Sequence, residues 1–169
     1  GGGIEPGKTE FWRGVSNVGK YNFYSFEGIR KHNNDQLHVT SMNYDEPKLI
    51  KMLEKSKETI SIHGSSGDDP IVYIGGKDTK MSKSIAKALR KKDFTVKESP
   101  KELNAQSDDN FVNKNDTDSG VQLELTTAQR EEFFKHHKLD STTRGNPKKY
   151  TKDFYKFANA VEKGIKRAK

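Results

Sequence analysis

At 169 residues, with 33% Asp, Glu, Lys and Arg and only 30% hydrophobic residues, the chain suits one lysine- and asparagine-rich folded domain. It has no cysteine, which excludes disulfides and thiolate zinc sites and leaves any metal to His, Asp or Glu. No apolar run reaches the length of a membrane span, no signal peptide is visible, and the formal charge of +7 suits either plain solubility or an anionic partner.

The chain opens on Gly1-Gly2-Gly3-Ile4-Glu5-Pro6-Gly7. Three glycines let backbone pass close to a metal or substrate, because no Cβ obstructs them. Residues 21–27, with Tyr21, Phe23, Tyr24 and Phe26, read as a strand or strand edge, and Leu37-His38-Val39-Thr40-Ser41 as a second short strand. Asp45 is expected to cap a helix that begins near Pro47, with Leu49, Ile50 and Leu53 as its apolar face. Residues 59–63 then form a short buried strand. Ile60 and Ile62 point to one side of it, Ser61 and His63 to the other.

After a loop rich in Gly, Ser and Asp, Ile71-Val72-Tyr73-Ile74 is a continuous apolar strand closed by Gly75-Gly76. Met81, Ile85, Ala88 and Leu89 recur at helical spacing, and residues 94–96 begin another strand. Residues 97–119 are polar and loop-rich. Residues 120–125 alternate as a strand and run into Thr126-Thr127-Ala128-Gln129, a capping-box pattern that opens a helix toward His136. The last helix sets Tyr150, Phe154, Phe157, Ala158, Val161 and Ile165 on one face and mostly lysine on the other. Strands alternating with helices predict an α/β domain whose mostly parallel or mixed central sheet is covered by helices on both faces. Functional groups in such sheets gather beyond the carboxyl ends of the strands.

Three residues stand out within that frame. His63 closes its strand before a glycine turn, where it reaches a crevice as a ligand or merely caps the strand at the surface. Glu5 sits in glycine-rich backbone that is either a site loop or a flexible tail. Glu124 shares a polar row with Gln122. That row costs free energy in a covered sheet unless it is paired or lines a cleft, and the bland alternative is the solvated face of an edge strand. His136 and His137 are adjacent near a helix end, so they point apart and make a poor metal pair.

Taken in order, Gly1 to Gly7, Leu37-His38-Val39-Thr40-Ser41, Asp45-Glu46-Pro47, Ile62-His63-Gly64, Val72-Tyr73-Ile74-Gly75-Gly76 and Gly120-Val121-Gln122-Leu123-Glu124-Leu125 closely resemble the phage and bacillus-type poly-γ-glutamate hydrolase family of zinc proteins. The likeness runs from Gly1 to about Arg130. It implies a zinc hydrolase related in fold to the zinc carboxypeptidases, which cuts the γ-glutamyl amide bonds of poly-γ-glutamate, a bacterial capsule polymer. Carried over, Glu5 and His63 are expected as zinc ligands and Glu124 as the catalytic carboxylate. Lys114, after Asn113, and Arg130 fall where the pattern has basic residues that meet substrate carboxylates. His38 lies on a family segment and is expected as an inward-facing structural histidine.

There are departures. The family pattern has a histidine ligand immediately before the three glycines, so we expect one 169-residue hydrolase domain that lacks an N-terminal strand and its first zinc ligand. Lys114 stands where arginine is expected, which turns a bidentate grip into a point charge. Thr127 replaces an expected basic residue.

The implied mechanism is hydrolysis by zinc-activated water with Glu124 as general base. The expected partner is the anionic polymer, with the chain acting as a monomer away from membranes. The competing readings are a zinc carboxypeptidase or amidase with another substrate, and a basic nucleic-acid-binding domain built on the aromatic and lysine residues of the last helix.

Overall fold

The computed structural model describes residues 6–25, 33, 36 and 39–169. Its elements in chain order are α1 (Lys8–Gly19), α2 (Pro47–Leu53), β1 (Ile60–Gly64), β2 (Val72–Gly75), α3 (Thr79–Arg90), β3 (Val96–Glu98), β4 (Val121–Leu125), α4 (Thr127–Glu131), α5 (Ser141–Arg144) and α6 (Lys152–Ala168). The four strands form one mixed sheet in the order β1-β4-β2-β3. β1 runs parallel to β4 and β2 parallel to β3, while β2 and β4 are antiparallel. The expected α/β architecture with a mixed sheet is what the chain adopts.

Local chemistry sets most boundaries. Asp78, Thr126 and Thr151 cap α3, α4 and α6 by accepting from the backbone N–H three residues on. Glu46, rather than the expected Asp45, caps α2, accepting from the Leu49 N–H at 2.9 Å. α4 stops at Glu131 instead of reaching His136, where the backbone turns to positive φ at His136 and His137. The strand expected over residues 21–27 does not form across residues 21–25, which run without a ladder partner, and residues 39–41 likewise lie outside any strand. Residues 26, 27, 37 and 38 lie outside the described residues.

The core sits between the sheet and a helical layer of α1, α3 and α6. Val121, Leu123 and Leu125 of β4 bury fully and join Val72, Ile74, Ile85, Leu89, Val161 and Phe157 in one cluster. Phe11, Phe133, Phe154 and Phe157 pack as an aromatic knot, with Phe11 stacked on Phe133 at 5.1 Å and edge-on to Phe157 at 4.7 Å. Phe154 and Phe157 are thus core groups, which removes them as stacking platforms for nucleic acid. α3 and α6 cross closely enough that the Ser84 hydroxyl donates to the Gly164 carbonyl at 2.7 Å. Among the described residues no helix is long and apolar enough to cross a membrane.

Candidate functional site

Side chains alternate across a strand, so the apolar set of β4 faces the helices and Gln122 and Glu124 face the other way. The parallel register places Ser61 beside Gln122 and His63 beside Glu124. Neighbouring strands lie about 4.8 Å apart, so imidazole and carboxylate rise from one rung of the ladder onto one face. Glu124 is 5% exposed and Gln122 equally buried. A buried polar row survives only if it is hydrogen-bonded or lines a cleft, and here it does both.

Gln122 is the hub. Its Nε2 donates to Glu124 Oε1 at 3.0 Å and to the Leu103 carbonyl at 3.2 Å. Its Oε1 accepts from Ser61 Oγ and from Asn110 Nδ2, each at 3.4 Å. An amide side chain has two donors and two acceptor sites, so all four are engaged. The Leu103 and Asn110 contacts belong to the loop between β3 and β4, which folds over the polar face. Asn113 knits that loop by donating to the Ala105 and Ser107 carbonyls and accepting from the Gly120 N–H.

The polar face opens into a cleft of about 880 Å³ lined by His63, Glu124, Gln122, Ser61, Phe111 and Lys101 among others. Aromatic rings make one wall: His63 lies 6.3 Å from Phe111, and Phe111 lies 5.9 Å from Tyr44. Tyr24 and Tyr44 share a hydroxyl–hydroxyl hydrogen bond of 2.7 Å. Burial, reinforced by that bond, pushes the Tyr24 phenol well above its ordinary value, and burial raises Tyr44 as well. Both therefore stay protonated at neutral pH and present hydroxyls, not charge, to the cleft.

Two further expected site residues, Lys114 and Arg130, are not among the residues that line the cleft. Lys114 is solvent-exposed and does not line the cleft. Arg130 is 5% exposed, and its guanidinium reaches backbone. It donates to the carbonyls of Leu125 (3.2 Å), Pro6 (2.9 Å) and Ser65 (3.0 Å), and to Thr127 Oγ1 at 3.0 Å. Thr127, where a basic residue is expected, thus serves Arg130 as an acceptor. Glu5 and His38 lie outside the described residues. Lys101 is the cation that sequence reasoning passes over; it sits in a polar loop with no periodicity to mark it.

Imidazole and carboxylate on adjacent strands are the oxygen and nitrogen donors that zinc takes. Among the described residues no group of three His, Cys, Asp or Glu comes together. The Arg130–Pro6 bond does tie the residue that follows Glu5 to the ends of β1 and β4. His63 supplies one donor of that kind at the cleft, and Glu5 lies outside the described residues.

Comparisons with known proteins bear on this geometry. The family model described as poly-gamma-glutamate hydrolase matches residues 1–160. The protein YmaC of Bacillus subtilis (strain 168) is 34% identical over 169 residues, which cover 98% of this chain and 68% of YmaC. The chain spans about half the length of two further relatives from that organism, 49% of YoqZ and 53% of YndL. Among solved structures, a bacteriophage poly-gamma-glutamate hydrolase superposes with a TM-score of 0.94 at 33% identity, covering 99% of this chain and 80% of that one. A zinc-free apo form of YNDL superposes at 0.89 with 29% identity, covering 98% and 80%.

Proposed function

The chain belongs to the poly-γ-glutamate hydrolase family, and from that premise we propose that it is a zinc-dependent hydrolase of the γ-glutamyl amide bonds of poly-γ-glutamate. The observation that carries this reading is the His63–Glu124 rung at the cleft. The core cluster shared by α1, α3, α6 and the four strands supports taking residues 1–169 as one hydrolase domain.

His63 and Glu5 would hold the ion. When bound, zinc lowers the pKa of water toward about 7 and polarises the scissile carbonyl. Glu124 takes a proton from the attacking water as the C–O bond forms at the expense of the carbonyl π bond, then delivers it to the leaving amine nitrogen, whereupon the C–N bond breaks and the carbonyl re-forms. Gln122 donates to one carboxylate oxygen of Glu124 and so orients the carboxylate in the cleft. The paired Tyr24–Tyr44 hydroxyls line the cleft as uncharged polar groups. Lys101 on the cleft, with Lys114 beyond it, meets the polymer's α-carboxylates.

The test is a metal analysis with an assay on high-molecular-weight poly-γ-glutamate, run on this chain and on one extended upstream to include the expected histidine. Bound zinc and a rapid fall in mean polymer length, abolished by a chelator and by Glu124→Gln, are the expected results. Release of single residues with little change in mean length would favour the carboxypeptidase reading. Full activity in Glu124→Gln would remove Glu124 as the base.

A further inference from the structure

The charge of this protein is segregated. Residues 79–92 and 152–169, which are α3 and α6 with their immediate ends, carry 12 of the 31 Lys and Arg but only 2 of the 24 Asp and Glu, a formal +10. The rest of the chain carries 19 basic and 22 acidic residues, a formal −3. The whole positive balance therefore lies on two helices that pack directly against each other, Gly164 against Ile85.

All twelve basic side chains are exposed: Lys80, Lys83, Lys87, Arg90, Lys91 and Lys92 from α3 and its end, and Lys152, Lys156, Lys163, Lys166, Arg167 and Lys169 from α6. The two acidic residues are already engaged, Asp153 with Lys156 and Glu162 with Lys166. The buried faces of both helices pack into the cluster with Leu123. Apart from Lys169, which pairs with Glu58 at the cleft margin, the basic layer thus lies on the side of the sheet opposite Gln122 and Glu124, a full helix layer, about 10 Å, behind it.

We infer that the α3–α6 face is a second, non-catalytic binding surface for the polyanionic substrate, which anchors one stretch of a poly-γ-glutamate chain while another enters the cleft. The inference rests on the proposed substrate. A repeating carboxylate polymer matches a field of exposed lysines, because each is a compact charge on a flexible stem that needs no fixed partner geometry. Single-stranded nucleic acid is another polyanion, but of the three aromatic residues of α6 Phe154 and Phe157 are buried and Tyr155 alone is exposed, too few to stack successive bases. Among the charged residues that line the cleft, Glu58 is paired with Lys169 at 3.0 Å, and Glu102 and Glu124 outnumber Lys101, which gives the anchor a purpose. The catalytic face alone does not attract a polyanion, whereas a basic surface behind it raises the local concentration of chain ends and loops.

The experiment uses the triple variant Lys83→Glu, Lys87→Glu, Lys163→Glu, with Lys135→Glu, Lys138→Glu, Lys148→Glu as a control of equal net charge on other elements. Polymer binding is titrated in a Glu124→Gln background across salt concentrations, and kcat and KM are measured on long polymer and on a short γ-glutamyl oligomer. We expect the α3–α6 variant to bind long polymer about ten-fold more weakly, with a flatter salt dependence. Its KM on long polymer rises in step while its kinetics on the oligomer stay unchanged, and the control keeps polymer affinity within about two-fold. Equal losses in both variants would reduce the effect to net charge, and unchanged polymer affinity would remove the surface outright. Tighter binding of a DNA fragment than of the polymer at the same face would assign it to nucleic acid instead. If the parent chain binds polymer at this face and never cuts it, the hydrolase reading fails and the surface stands. If every variant cuts all lengths equally, the reverse holds.

Discussion

The Nε2 of Gln122 donates to Glu124 Oε1 at 3.0 Å, two residues along the same strand, and the same amide holds Ser61, Asn110 and the Leu103 carbonyl. One side chain therefore orients the proposed base and pins the loop that roofs it. Gln122→Leu keeps the volume and removes all four bonds. Each buried polar group that loses its partner costs about 1 to 3 kcal/mol, so a clear drop in denaturant midpoint is expected. Because Glu124 loses its orienting donor, kcat should fall by about ten- to a hundred-fold with KM little changed. A stability loss with kcat intact would restrict Gln122 to a scaffold role.

Arg130 is expected to act through the backbone it holds. It joins Pro6 to Ser65 and Leu125, the carbonyls that follow Glu5, His63 and Glu124 by one or two residues. In Arg130→Met the buried Leu125 carbonyl and the part-buried carbonyls of Pro6 and Ser65 lose a charge-assisted donor. Amide exchange should quicken across residues 7–9 and 64–67, and zinc affinity should weaken together with kcat. Arg130→Lys should restore part of the stability and little of the exchange protection, since a single ammonium cannot span the three carbonyls. A rise in KM with exchange, metal affinity and kcat unchanged would instead return Arg130 to the substrate carboxylates.

Much of this site is legible in sequence because strand alternation is a strong signal. Val121, Leu123 and Leu125 against Gln122 and Glu124 give the two faces of β4, and Ser61 with His63 gives the matching face of β1. What alternation cannot give is which strands pair. That β4 lies between β1 and β2, antiparallel to the latter, follows from long-range packing. α1 leaves almost no trace. It is entered through Gly7 at φ 95 with no side-chain cap, and Gly14 interrupts its apolar stripe because a Cβ there would sit 2.9 Å from the Phe154 ring. Tyr21 and Tyr24 mislead in the opposite sense. Their aromatic spacing reads as a strand, yet Tyr21 packs on the core and Tyr24 bonds Tyr44 with no ladder between them.

The cap of α2 makes stability depend on acid. The Leu49 N–H donates to Glu46 at 2.9 Å, and that backbone bond is the main cause holding the Glu46 carboxyl below its ordinary value of 4.5. A carboxyl whose folded value is depressed stabilises the fold above its unfolded value, and the gain is lost as pH falls through the folded one. α2 carries the buried Leu49 and Leu53 to the cleft. Glu46→Ala should therefore melt at a lower temperature than the parent near about pH 7, and the two melting curves should converge as pH falls through the depressed Glu46 value. A constant gap across that range would mean that the charge contributes nothing to the cap.

The closest test of the helical layer is Gly164, where α6 meets α3. A Cβ built there would lie 2.6 Å from Ile85 Cα and 3.0 Å from its nitrogen, both backbone atoms that cannot swing aside. Two effects compete in Gly164→Ala. Helix propensity and the unfolded-state entropy of glycine favour alanine by about 1 kcal/mol. Forcing the helices apart costs about 1 to 3 kcal/mol of packing and stretches the 2.7 Å bond from Ser84 to the Gly164 carbonyl. The packing cost should win, lowering the melting temperature by about 2 to 6 °C for a chain of this length. Asn159→Ala, on the exposed face of α6, isolates the propensity effect and should raise it slightly. Zinc affinity and kcat at 25 °C should stay at parental values in both variants, because the α3–α6 contact lies across the sheet from His63 and Glu124. Stabilisation by Gly164→Ala would show that the two helices separate more readily than their backbone contact implies.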